Sequence, residues 1–136
     1  PSNKLFIDIE RRELRFSSDS IVLEPMDLLF YYFFVDSKLR GINKISVYNF
    51  IDDETKNQFI EYYTDFFPNI DIKERDWYTN GFSKEDFRVK RSRVNSKINE
   101  LIEDTDIASF FIIDVNRKYG ESTYHIKAEK ERFIIK

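Results

Sequence analysis

Hydrophobic and polar positions change period several times along this chain of 136 residues, and each change marks an element. From Lys4 to Leu23 apolar residues alternate with polar ones. Leu5, Ile7 and Ile9 stand against Phe6, Asp8 and Glu10, then Leu14 and Phe16 against Glu13 and Arg15, before "SSDS" turns the chain into "IVL". A period of two belongs to strands with one buried face, so a small antiparallel sheet is predicted. The next segment, "EPMDLLFYYFFVDSKLRG", is apolar nearly all round from Met26 to Val35. Pro25 suits a first helical position, Asp27 the first turn, Lys38 and Arg40 the last, and Gly41 a terminator. A helix with no polar stripe has to be covered on several sides, which predicts a central position.

A second helix is predicted from about Asp53 to Phe67, where Phe59, Ile60, Tyr63, Phe66 and Phe67 recur at helical spacing and Pro68 ends the run. The loop that follows, "PNIDIKERDWYTNGF", holds the single tryptophan, Trp77, and the turn dipeptide Asn80-Gly81. A third helix is predicted to begin at Ser83, where Ser83 and Asp86 have the spacing of a capping box, and to run to about Glu103. The remainder reads as strand: "SFFIIDV", a turn through "NRKYGES", "TYHIKA", a turn through "EKE", then "RFIIK". No repeat or low-complexity stretch interrupts the pattern. Residues 1–136 therefore read as one α+β domain with three main helices.

Charge is distributed unevenly over these elements. The whole chain carries −3, and between Asp52 and Asp76 eight acids face three bases. From Lys84 to Lys97 the balance reverses, with six bases (Lys84, Arg88, Lys90, Arg91, Arg93, Lys97) against two acids. At about 100° per residue, the third helix places Phe87, Val94, Ile98, Leu101 and Ile102 on an inward stripe. Its opposite arc carries Arg88, Ser92, Arg93, Ser96 and Asn99, with Asn95 and Lys97 toward opposite flanks. Arginine suits a guanine edge or a phosphate, asparagine an adenine edge, and serine backbone oxygens. Glu100, Glu103, Asp104 and Asp106 follow at once and would repel phosphate, which favours the plainer reading of a solvated helix face.

The order of strands, central helix, second helix, basic helix and terminal hairpin adds to this picture. "IDIERRELRFSSDSIVLEPMDLLFYYFF", "RSRVNSKINELI" and "YGESTYHIKA" resemble the opening sheet and first helix, the recognition helix, and the wing of OmpR-type response-regulator effector domains. A second likeness, carried by "RSRVNSKI", is to winged-helix ends of larger bacterial regulators and CRISPR-associated sensor proteins. The first resemblance implies a winged helix-turn-helix fold and a bacterial-type transcription-regulator module that binds double-stranded DNA. In it the basic helix, residues 83–103, would enter the major groove and the hairpin, residues 114–128, would be the wing. Ser92, Arg93, Ser96 and Asn99 would then face the groove. Arg88, Lys90, Arg91, Lys97, Arg117 and Lys118 would hold phosphates, with Tyr119 beside the wing tip. Two features depart from the family: some fifteen residues, Pro68 to Phe82, separate the second helix from the basic one, and "EST" separates Gly120 from Tyr124.

Other chemistry finds little to stand on. Cysteine is absent, so disulfides and thiolate metal sites are excluded and a reducing, cytoplasmic home is expected. His125 is the single histidine and sits in an alternating segment, and three glycines cannot build the usual phosphate cradle. Neither catalysis nor a metal or cofactor is expected. No apolar run reaches the length of a membrane span, so a soluble protein is expected. Pro1 stands where an initiator methionine would, which suggests a fragment or the C-terminal module of a longer protein. The alternative function is a winged-helix protein-interaction module, using the acidic 52–76 surface with Trp77, Tyr78 and Phe82 as anchors. A homodimer is one further arrangement open to such a module.

Overall fold

A computed structural model describes residues 3–118 and 120–136, so Tyr119, expected beside the hairpin tip, lies outside the described residues. The fold is α+β. The predicted meander is present: β1 (Leu5–Asp8), β2 (Glu13–Phe16) and β3 (Asp19–Val22) pair antiparallel, with Leu5 opposite Phe16 and Glu13 opposite Val22. Alternation sorts its side chains: Leu5, Ile7, Ile9 and Leu14 are buried beneath the sheet. A tight turn joins β1 to β2 and holds Arg12 at φ 54°, in the left-handed region.

The longest apolar segment forms α1 (Pro25–Leu39), with Pro25 opening the helix and Asp27 in its first turn. Leu28, Leu29, Phe30, Tyr31, Phe33, Phe34 and Val35 are all buried, which is the central placement its composition demands. A short α2 (Val47–Phe50) precedes α3 (Asp53–Phe66), whose N-cap Asp52 accepts from the Glu54 amide. Phe30, Phe33, Phe50, Phe59, Phe82 and Phe87 interlock between α1, α2, α3 and the start of the basic helix. Their ring centroids stand 4.7–6.0 Å apart, most of them edge-on or tilted. Inside the long loop, residues 76–80 make one further turn, α4 (Asp76–Asn80), which ends at Gly81 with φ 77°.

The basic helix α5 (Lys84–Leu101) starts where expected, and Ser83 and Asp86 exchange both bonds of a capping box: Asp86 N–H to Ser83 Oγ at 3.0 Å and Ser83 N–H to Asp86 Oδ2 at 2.8 Å. Downstream the sequence pattern misleads. "SFF", expected as the start of a strand, is the end of α6 (Thr105–Phe111). Asp104 caps that helix by accepting from the amides of Asp106 and Ile107, and Ala108 and Phe111 face inward one turn apart. The hairpin follows as β4 (Asp114–Lys118) and β5 (Glu121–His125), shorter than the span expected from "TYHIKA".

The last apolar run, "RFIIK", supplies β6 (Phe133–Ile135), which leaves the hairpin and pairs parallel to β1, Leu5 opposite Phe133. The N-terminal sheet is thus four-stranded in the order β3-β2-β1-β6, an antiparallel meander closed by one parallel strand. Phe133 is buried there, with its ring 5.7 Å from Phe111 on α6.

One buried polar contact ties these layers together. The Tyr31 hydroxyl, at the middle of α1, donates to the Phe111 carbonyl at the end of α6 at 2.6 Å. Tyr31→Phe keeps the ring and leaves that carbonyl without its partner, so it should cost about 1–3 kcal/mol. Urea unfolding of the variant against the parent measures this, and an unchanged midpoint would remove the bond from the account of stability.

Candidate nucleic-acid interface

Helix α5 is divided lengthwise by what each side touches. Phe87, Val94, Ile98 and Leu101 are buried, as the inward stripe requires. The outward arc carries Arg88, Ser92, Arg93, Ser96, Asn99 and, at its edge, Lys97, every one of them exposed. Glu85 and Glu100 share that arc, and Arg88 is bonded to Glu85 through both its Nε and a terminal nitrogen. The bond to Arg88 pulls the Glu85 carboxyl below its usual range, so the pair stays ionised at the surface.

On one flank α5 holds the hairpin. Asn95 bonds Ile113 in both directions: its Nδ2 donates to the Ile113 carbonyl at 2.9 Å and its Oδ1 accepts from the Ile113 amide at 2.8 Å. Arg91 Nε donates to the same carbonyl at 2.9 Å, and its guanidinium lies 5.0 Å from the Tyr124 ring centre. Phe87 meets Tyr124 edge-on at 4.7 Å. Tyr124 in turn exchanges two backbone bonds with Ile45, so the segment before α2 lies along the hairpin as a single bridge. Arg91, assigned to phosphate from the sequence, is half-buried and spent on this joint. Asn95, which the helical wheel left on a flank, proves to be the main tie.

The other flank faces the start of α1. Arg93 forms an ion pair with Asp27 at 2.8 Å while its side chain stays 55% exposed. Burial raises the Asp27 carboxyl above its usual range, and the guanidinium of Arg93 works against that rise. Lys90 is half-buried beside Phe82, 5.8 Å from its ring centre, and burial lowers its ammonium against the pull of Asp86 and Asp27. Lys90 and Arg93 are thus committed in part to the protein's own interior.

At the hairpin, Arg117 and Lys118 are exposed at the end of β4, where Lys118 stands opposite Glu121. The base is fixed by Lys127, whose ammonium is 3.1 Å from the Asp114 carboxylate. Asp114 faces His125 across the ladder, and burial lowers the His125 imidazole below its ordinary value. Of the residues nominated as protein anchors, Phe82 is 5% exposed and belongs to the ring cluster, which corrects its assignment to the surface. It is buried because Trp77 stacks on it at 5.3 Å and 6° while Phe50 and Phe59 close round it. Trp77 is half-buried between Phe82 and Tyr63, and Tyr78 is half-buried beside it. The eight acids between Asp52 and Asp76 are all exposed.

No family model, no curated protein and no solved structure matches this chain. Among the described residues no helix is long and apolar enough to cross a membrane.

The joint between α5 and the hairpin yields a direct test. Asn95→Ala removes both bonds to Ile113 and leaves a buried amide and carbonyl less satisfied, at a cost of about 1–3 kcal/mol. Amide exchange should quicken first along residues 113–125, ahead of α1 and β1. Equal acceleration everywhere would mean that the hairpin is not held independently through this contact.

Proposed function

We propose that this chain is a winged-helix-type DNA-binding module of a transcriptional regulator, with α5 in the major groove and the β4–β5 hairpin as its wing. The observation that carries the reading is that the outward arc of α5 is exposed while its flank anchors the hairpin through Asn95, Arg91 and Phe87. A helix held rigidly beside a hairpin is the arrangement a groove reader needs, because groove contacts depend on a fixed angle between the two. Ser92, Ser96 and Asn99 give the arc short polar side chains that reach base edges, and Arg88 and Lys97 border it with charge suited to phosphate. Arg117 and Lys118 extend that charge along the hairpin.

Within this reading the cations have unequal roles. Lys97 and Arg117 are exposed and serve phosphates, and Arg88 does so by exchanging its bonds to Glu85 for a phosphate. Arg91 positions the hairpin, and Lys90 and Arg93 are shared with the first turn of α1. The bridge between Ile45 and Tyr124 supports the same reading, since it gives the hairpin a second neighbouring segment to stiffen it. The protein-interaction alternative loses ground because Phe82 and much of Trp77 are used inside the molecule.

Labelled duplex titrated at two salt concentrations tests the proposal. Arg88→Ala with Lys97→Ala should leave the fold intact, weaken binding across sequences, and reduce the slope of log affinity against log salt by about 2, near 0.9 for each phosphate contact removed. A parent protein that binds no duplex at low salt, or a double variant with unchanged affinity and slope, would overturn it.

A further inference from the structure

Beside the α1 flank of α5 lies a cleft of about 670 Å³, built by segments far apart in sequence. Its walls are the β1–β2 turn at Arg12, the start of α1 from Glu24 to Asp27, Tyr63 on α3, Arg75 and Trp77 at the head of α4, and Lys90 and Arg93 on α5. A concave space of this size is in the range that holds a small organic ligand.

Four cations line it against two carboxylates, Glu24 and Asp27. Asp27 is already neutralised by Arg93 at 2.8 Å. Arg12 and Arg75 form no ion pair with any described residue, although both open on this space. Tyr63 is 5% exposed, yet its hydroxyl makes no hydrogen bond to any described residue. The ring is buried while the hydroxyl opens on the cleft. Burial pushes the Tyr63 hydroxyl up to about 12, so it keeps its proton and remains a donor near neutral pH. Two guanidinium groups without ion pairs and a phenol hydroxyl with no protein acceptor therefore open on one cavity, a set of donors suited to an acceptor of high negative charge.

We infer that this cleft binds a phosphate-bearing small molecule of sugar-phosphate or mononucleotide size. The phosphate lies between Arg12, Arg75 and Lys90 with the Tyr63 hydroxyl donating to it. Arginine forks match phosphate geometry in two-point contacts, and Lys90 adds a point charge in a partly dried setting where it counts for more. Glu24 is exposed at the rim and accepts from a ligand hydroxyl, which selects a sugar over a bare inorganic ion. Arg12 and Arg75 stand on the β1–β2 turn and at the head of α4, off the outward arc of α5, so the phosphate is assigned to a free molecule.

The inference does not rest on DNA binding and is read separately. Trp77 is the single tryptophan and its indole borders the cleft, so its emission reports occupancy. Ribose 5-phosphate should produce a saturable change in that emission, and ribose none. Arg12→Ala and Arg75→Ala should each weaken the response about tenfold or more, as expected for losing a charge-assisted bond, and Tyr63→Phe by less. Duplex affinity should be unchanged in the two arginine variants. No saturable response to ribose 5-phosphate or to pyrophosphate would overturn the inference. So would a response left intact in both arginine variants, or a loss of duplex binding in them with no response to either small phosphate, which would give the cleft to a nucleic-acid backbone instead.

Discussion

Helix α1 has no face that can be left in water, and the layers of the molecule are arranged to cover it. Its apolar residues join one core with those of the sheet, α3 and α5, and several of its polar side chains reach distant segments. Tyr31 reaches the end of α6, Lys38 donates to the Ile126 carbonyl just past the hairpin, and Asp27 takes Arg93 from α5. Burying a large side chain is worth about 1.5–3 kcal/mol each, so seven in one helix outweigh the local preferences of the shorter segments around it. The consequence is positional. Once α1 is fixed, α5 can approach it along only one stripe, and the arc turned to solvent follows.

That constraint explains how the basic residues of α5 are used. Basic residues on a helix facing water on one side can all be free. Here the helix has two occupied flanks, so position around the axis decides. Arg91 and Arg93 are two residues apart in sequence and point to opposite flanks, one toward the Ile113 carbonyl and the other toward the Asp27 carboxylate. Charge counting along the sequence treats them as one patch. In the structure they fasten different neighbours, and the charge left for an outside partner is smaller than the count suggests.

How much of this was legible depended on how local each signal was. The alternation of β1 to β3, the apolar run of α1 and the Ser83–Asp86 box are written in contiguous residues, and each element lies where the pattern puts it. "SFFII" misled because a short apolar run has no period of its own, and helix and strand are separated there by the cap. Asp104 was that signal, read instead as part of an acidic cluster. Phe82 was misplaced because its burial is decided by Trp77, Phe50 and Phe59, which come from three other segments. The parallel pairing of β6 with β1 has no local mark at all, and neither does the cleft, whose cations stand at positions 12, 75, 90 and 93.

The placement of β6 also sets the order in which the molecule can be completed. Strand β1 leaves the ribosome well before β6, and one of its edges stays unpaired until residues 133–135 have been made, on the order of ten seconds later at ordinary translation speed. During that interval Leu5, Phe6 and Ile7 offer open backbone to any other nascent strand. A ribosome stalled just before the segment that encodes residues 133–135 would therefore hold a chain whose helices could collapse around α1 while its sheet remained adhesive along one side.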